Sequence, residues 1–398
     1  MTIPVLGYCT NVHGGRTLAT TLAALDRHAT AVREFVQPSG LMPIGLWLSA
    51  QAAQEVRGDP DGITRLRDWL FQRGLAVFTM NGFPYGDFHS THRGDAGKKA
   101  VYEPHWGDVR RALHTMALAD ILAGILPDRS VAPDIAGEGS ISTLPLGWRN
   151  TFTQEGCGAS IGMAAAQLEQ VMRHLKRIED STGLCIHVDL EPEPGCAMDR
   201  ATHVVDFFQQ CIRPSADLKD PRRYLRVCHD ICHSAVMFEP QAEALETYRR
   251  GGVRVGKVQI SSALTCDGSE GSFRALREFD EPQFLHQTCA LDGKGEVHFF
   301  EDLERAFDDA PDGPWRVHFH VPVDLEALGA LGTTQREIDA CLSHIKPEDG
   351  IRHFEVETYA WNVLPMEFRR ASLARGIADE LKWTRDRLSK TIPQGMSP

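Results

Sequence analysis

The chain has 398 residues, 42% hydrophobic and 24% charged, an ordinary globular composition with apolar residues enough for a large core. Its formal net charge of -12 argues against a nucleic-acid surface, which needs clustered Lys and Arg, and no uncharged apolar run of about 18 residues predicts membrane insertion. The opening Met1-Thr2-Ile3-Pro4-Val5-Leu6 lacks the basic and long apolar regions of a signal peptide, and the ten cysteines are scattered like reduced thiols, so a cytoplasmic protein is expected.

Short apolar strands alternate with helical stretches. Strands are predicted at Val5–Val12, Ile44–Ser49, Ala76–Asn81, Ser140–Leu146, Cys185–Glu191, Leu225–Ile231, Gly256–Ser261, Trp315–Val321 and His353–Thr358. Met163, Leu168, Val171, Leu175 and Ile178 recur at helical spacing across Ile161–Thr182, and Ala197–Ile212 and Pro240–Arg250 read the same way. This alternation implies a parallel sheet covered by helices, and over this length a closed barrel. The predicted fold class is therefore α/β, a (β/α)8 TIM barrel filling residues 1–389 as one domain, with a mobile tail over 390–398.

Nine strands are one too many for such a barrel. The surplus lies in 265–345, where Leu285–Leu291 and Glu296–Phe300 flank the turn Asp292-Gly293-Lys294-Gly295 as a hairpin. Residues 265–345 are read as an insertion near the barrel mouth that supplies a strand, a lid or both. Trp315–Val321 belongs either to that insertion or to the barrel itself. The run 82–102, rich in Gly, His and Asp, reads as a long loop after the third strand, with His89, His92 and His105 solvated.

Catalytic groups in such barrels sit at C-terminal strand ends, so polar residues there are the candidates. His187, Asp189 and Glu191 share one strand face, and Pro192 stops the ladder just after Glu191. A carboxylate inside a barrel is costly unless it is paired or binds a metal. Rim salt bridges are the bland reading, and Glu193 is the fallback if Glu191 turns outward. Asp230 and His233, spaced Asp-x-x-His, put a carboxylate at a strand end and an imidazole in the next turn; both types ligate divalent metals, although a helix cap and a core histidine would look the same. Lys257, Gln259 and Ser261 share a face, and an inward Gln offers a carbonyl oxygen. Glu355 and Glu357 share another, with Glu357 nearer the mouth. His318 and His320 share a third. Asn11, His13 and Arg16 follow the first strand, positioned to meet a polar substrate.

In chain order, Leu-Glu-Pro at 190–192, Asp-x-x-His at 230–233, Val-Gln-Ile at 258–260 and Val-Glu at 356–357 resemble the ligand-bearing strands of xylose-isomerase-like barrels. In the epimerase branch of that superfamily, four strands give Glu, Asp, His and Glu to one divalent metal; Gln259 here stands where His would, as in the hydroxypyruvate-isomerase branch. More closely, Leu6-Gly7-Tyr8-Cys9-Thr10-Asn11-Val12-His13, Leu190-Glu191-Pro192-Glu193-Pro194, Lys257–Leu264, His318-Phe319-His320-Val321-Pro322-Val323 and Glu355–Trp361 resemble the EboE family, barrel proteins named for a bacterial metabolite-traffic gene cluster. That resemblance runs to about residue 366 and implies work on a small metabolite before export.

The reading is a metal-dependent sugar or cyclitol isomerase or epimerase with one divalent ion held by Glu191, Asp230, Gln259 and Glu357. Oxygen donors favour Mg²⁺ or Mn²⁺, and Zn²⁺ if a histidine joins. Glu191 or Glu357 moves the proton, His233 bonds a substrate oxygen, and Asn11, His13, His320 and Lys257 bind substrate. A metal-dependent hydrolase or lyase on the same barrel, with His318 and His320 as extra ligands, and a non-catalytic metabolite carrier are the alternatives.

Overall fold

A computed structural model describes residues 3–86, 98–153, 160–281 and 284–391. His89 and His92 fall outside these residues, as do 392–398 of the expected tail. The last helix, Leu373–Thr391, runs two residues into that expected tail.

Eight parallel strands form the barrel: β1 (Val5–Tyr8), β2 (Met42–Trp47), β3 (Leu75–Asn81), β4 (Glu138–Thr143), β5 (Cys185–Leu190), β6 (Leu225–Asp230), β7 (Val255–Ile260) and, out of numerical sequence, β14 (His353–Val356). The order is β1-β14-β7-β6-β5-β4-β3-β2, and a parallel bridge between Cys9 and Gly45 joins the two ends. Helices cover the outer face of the barrel and side chains fill its inside, so strands such as β3, Leu-Ala-Val-Phe-Thr-Met-Asn, are buried along their whole length.

The covering helices follow from local signals. Ile161–Thr182 starts where Ser160 Oγ accepts the Met163 amide at 3.1 Å and stops at Gly183, whose φ of 76° suits a residue without a Cβ. Its buried side chains, among them Leu168, Val171, Leu175 and Ile178, recur every three or four residues. Gln335–His344 packs between Gln241–Gly251 and Leu373–Thr391 and completes the outer ring before β14.

The surplus strand is not in the barrel. Between β7 and Gln335–His344 the chain builds a second, antiparallel sheet from β8 (Leu264–Cys266), β9 (Thr288–Leu291), β10 (Val297–Phe300), β11 (Trp315–Val317), β12 (Ala327–Leu328) and β13 (Leu331–Thr333). The hairpin at 292–295 joins β9 to β10. Trp315–Val321 alternates like a barrel strand, but only its first three residues pair, antiparallel to β8 and β9. The amide of Phe319 turns back to the Val317 carbonyl at 2.8 Å and Pro322 has no amide to give, so the ladder ends before His318.

The barrel interior is polar in its lower layers. Lys257 and Glu355 form an ion pair there, both fully buried. A Cβ added at Gly45 would overlap the Glu355 carboxylate, so the glycine is what admits that group. His187 Nδ1 meets Asp189 Oδ1 at 2.6 Å, and a Cβ at Gly256 would collide with the same Asp189 carboxylate. Glu138 at the start of β4 takes Arg226 at 2.8 Å and Arg352 at 3.3 Å.

Candidate active site

At the C-terminal ends of the strands a cavity of about 610 Å³ opens, lined among others by Asn11, Glu191, His233, His318, His320 and Glu357. Its size suits a small metabolite.

Three strand ends supply carboxylates at its floor, Glu191 and Glu357 lining the cavity and Asp230 lying beside them. Glu191 follows β5, Asp230 ends β6 and Glu357 follows β14; each offers a carboxylate oxygen, and these oxygens lie within 4.8 Å of one another. All three groups are buried. Glu357 is the most firmly held: Oε1 accepts from Asn11 Nδ2 at 2.6 Å and Asn81 Nδ2 at 3.0 Å, and Oε2 from Gln259 Nε2 at 2.7 Å. Asp230 caps the helix Ile231–Val236, its Oδ1 accepting from the His233 amide at 2.9 Å and from Ser261 Oγ at 2.7 Å. The cap and the site are thus the same residue, because a carboxylate has a second oxygen. Glu191 Oε2, Asp230 Oδ2 and Gln259 Oε1 are buried without a hydrogen-bond partner. Buried oxygens left unpaired beside neighbouring carboxylates could be satisfied by a cation, since each otherwise keeps its desolvation cost.

Electrostatics agree. Burial, and then the Glu357 and Asp230 charges, push the Glu191 carboxyl well above its ordinary range. Burial, then Asp230 and Glu355, push Glu357 up to about 8. Burial acts the same way on Asp230, but His233, His320 and Ser261 outweigh it and its net shift is downward. Neighbouring carboxylates whose affinities for protons are driven apart are a common acid–base arrangement.

Beside the floor stand the histidines. His233 lies in the first turn after β6; His318 and His320 come from the extended segment beyond β11. His320 donates from Nδ1 to the Glu357 carbonyl oxygen at 2.8 Å, so the insertion does reach the mouth and bring this ring to the carboxylates. Burial and then Asp230, His233 and the Glu357 carbonyl act on His320, and the net shift is down to about 4; burial, then His233 and His320, drive His318 far down. Both rings are neutral at neutral pH.

Glu191, Asp230, Gln259, Glu357, His233, His320 and Asn11 thus come together. Lys257 and His13 do not join them as substrate contacts. Lys257 lies below the floor, inside the barrel, where burial alone would weaken its hold on the proton but Glu355 overrides this and shifts it upward. His13 turns behind β1, bonding Tyr8 at 2.9 Å and stacking on His28. Glu193 sits with His233 and His318 instead of with Asp230 and Glu357, which separates the two glutamates left open by the sequence. Three residues were not singled out: Asn81, Gln287 and Tyr102. Asn81 carried the available signal, a polar residue closing an apolar strand. Gln287 lies in a loop and Tyr102 ends the short 3-10 helix Lys99–Tyr102, and they reach Glu193 Oε1 at 2.9 Å and 2.8 Å from far along the chain.

No helix among the described residues is long and apolar enough to cross a membrane. No protein-family model and no curated protein matches the sequence. Solved structures do. A xylose isomerase-like TIM barrel protein from Mycobacterium smegmatis in complex with magnesium superposes with a TM-score of 0.50 over 98% of each chain at 12% identity. The IOLI protein with a bound zinc atom matches at 0.48 and 12% identity over 98% of this chain and 100% of its own, and a D-tagatose 3-epimerase-like protein at 0.45 and 10% over 97% and 98%. At such identities the likeness is one of fold: this chain is a (β/α)8 barrel.

Proposed function

We propose that the protein is a metal-dependent isomerase or epimerase of a small polyhydroxy carbonyl compound, a sugar or cyclitol. The three unpaired buried oxygens of Glu191, Asp230 and Gln259 around the Glu357 carboxylate are the observation that carries it. Glu191, Asp230, Glu357 and Gln259 Oε1 would hold one divalent cation, Mg²⁺ or Mn²⁺ by donor type. When bound, such a cation fixes adjacent substrate oxygens and stabilises the negative charge that develops on them. Glu191 is the proton carrier of this reading: it lines the cavity and its Oε2 is unpartnered, whereas both Glu357 oxygens are tied by amides. Glu191 takes the proton from the carbon next to the carbonyl and returns it to the neighbouring carbon, or to the opposite face. Asn11 and Asn81 keep Glu357 from turning away. The resemblance to the EboE family supports a metabolite that is later exported. Hydrolysis or elimination is the second reading, favoured by the histidines crowded beside the carboxylates.

The test is proton exchange. In deuterated water, ketoses and inososes should gain deuterium beside the carbonyl, a chelator should stop this, and Mn²⁺ should restore it. Glu191→Gln should slow exchange by about 10²–10⁴-fold, and Glu191→Gln and Asp230→Asn should both lose cation. Unchanged metal content in both variants would falsify the ligand assignment.

Proton competition gives a second expected result. A cation must displace the protons held by Glu191 and Glu357, so Mn²⁺ affinity should climb with pH, and the part owed to Glu357 should level off above about 8. The sign is opposite for the fold. With a folded value of about 8 against an ordinary 4.5, Glu357 contributes stability below 4.5 that is lost as pH rises towards 8 in metal-free protein. Added cation should cancel that loss. Manganese titrations followed by electron paramagnetic resonance between about pH 6 and 9 read the effect. A flat affinity would mean that these carboxylates are not the ligands.

A further inference from the structure

The loop after β1 runs from the floor of the cavity to its rim. Asn11, near its start, is buried against Glu357. Further on, Arg16 is exposed and lines the same cavity. Gly14, with a φ of 65°, turns the chain between them. The reaction proposed above uses the floor and leaves this arginine without a task.

Arg16 is held in place from behind. Its carbonyl oxygen accepts from Ser49 Oγ at 2.6 Å, and its Nε donates to Gln51 Oε1 at 3.2 Å. The Gln51 amide faces this way round because its nitrogen donates to Glu55 Oε1 at 3.0 Å, while the other Glu55 oxygen takes the Leu18 amide at 2.8 Å. One guanidinium donor is thus tied to the scaffold, and the two terminal nitrogens meet no acceptor among the described residues. The other Lys or Arg side chain lining the cavity, among those residues, is Lys98, and it is already engaged: Nζ meets Asp302 Oδ2 at 2.6 Å. Phe83, Pro84, Val101, Phe284 and Leu285 also line the wall and offer no polar side-chain atom. In a chain of net charge -12, Arg16 is therefore a cation facing a cavity with no counter-charge of its own.

We propose that the substrate is an acidic member of its class, a polyhydroxy carbonyl compound carrying a phosphate or carboxylate at the end remote from the carbonyl, and that Arg16 binds this group. The proposal rests on the isomerase reading for the carbonyl end and supplies the chemistry of the other end. A guanidinium offers paired N–H donors that match two oxygens of one phosphate or carboxylate. Gln51 occupies Nε, so the terminal pair, Nη1 and Nη2, makes the fork. Charge is ordered along the cavity, with carboxylates at the floor and arginine at the rim. A substrate entering the wrong way round would bring its anion beside Glu191 and Glu193, which repel it, so the same arrangement sets the direction of binding. The C–H faces of the substrate then lie along the apolar wall. Gln51 is a positioning residue that aims the guanidinium.

Calorimetric titration of manganese-loaded protein tests this. D-fructose is compared with D-fructose 6-phosphate and D-fructuronate, and D-tagatose with D-tagatose 6-phosphate and D-tagaturonate; the two kinds of acid separate a phosphate from a carboxylate. We expect one kind to bind about 10–100-fold more tightly than its neutral parent, the range of a charge-assisted contact. The ratio should shrink as salt is added, because Arg16 is exposed. Arg16→Met should bring the ratio close to one, Arg16→Lys should keep part of it, and Gln51→Leu should lower it. Melting curves check that each variant folds, and if Arg16→Met does not, Gln51→Leu and the salt series decide. No acid binding more tightly than its parent overturns the proposal. So does a preference that survives in Arg16→Met, which would put the anion on the floor instead. Deuterium exchange is followed on the same compounds. An Arg16-dependent preference without exchange removes the isomerase reading and leaves this site standing, and exchange without the preference does the reverse.

Discussion

Replacing Lys257 with methionine is expected to destabilise the protein by about 3–5 kcal/mol, because it strands the Glu355 carboxylate without its counter-charge inside the barrel. Both side chains are fully buried, and among the described residues the ammonium makes one further, longer bond, to Ser142 Oγ at 3.3 Å. Methionine fills a similar volume, so the loss reflects charge and not a cavity. Adding Glu355→Gln should recover most of it, since a pair removed together costs far less than a pair broken. The site above should respond as well. Lys257 is among the charges that hold Glu191 and Glu357 down, so its loss raises both carboxyls further and moves cation binding to higher pH. Denaturant unfolding of the three metal-free proteins measures the first effect and manganese titration the second. A Lys257→Met protein as stable as wild type would mean that Glu355 holds a proton and the pair is not ionic.

Glu380→Ala is the other large loss expected, roughly 3–6 kcal/mol, as it removes the shared acceptor of three buried donors. Glu380, on the last helix, accepts from the Val323 amide at 3.0 Å and Thr358 Oγ1 at 2.6 Å on one oxygen and from Trp361 Nε1 at 3.0 Å on the other. Val323 follows His320 closely and Thr358 follows Glu357 directly, so one carboxyl ties both halves of the site to the outer ring. Glu380→Ala should therefore lose manganese affinity together with stability. Glu380→Gln keeps an acceptor oxygen and should fall in between. Melting curves with metal analysis check this. Full metal content and unchanged melting in Glu380→Ala would show that the ties are dispensable.

Much of this was legible in the sequence, for physical reasons. Parallel strands buried on both faces read as unbroken apolar runs, so Leu75–Asn81 and Cys185–Leu190 stand out. The carboxylates stand out because Glu191, Asp230 and Glu357 are charges at the ends of such runs. Alternation does not say which strand a segment pairs with, and Trp315–Val321 shows it: the same pattern serves a barrel strand or an antiparallel sheet beside it. Nor does it reveal contacts made across long stretches of chain. Gln287 is 94 residues from Glu193 and 185 from Tyr102, both of which it bonds, and nothing local to it marks the role. Lys257 misleads for a related reason: it shares a face with Gln259, yet two residues along a tilted strand separate the cavity floor from the layer beneath.

The place of β14 has a kinetic consequence. It lies between β1, the first strand made, and β7, pairing with both. On the ribosome, at about 5–20 residues per second, the chain waits some tens of seconds between making β1 and making its neighbour. Throughout that time β1 presents an open edge, and β7 does so from its own synthesis onward, the kind of surface that pairs with the wrong chain. Closing the barrel and delivering Glu357 to the floor are one event, and it comes near the end of synthesis. Folding of this protein is completed from its C-terminus, so premature termination before residue 353 leaves a barrel with seven strands, two unpaired edges and no functional floor.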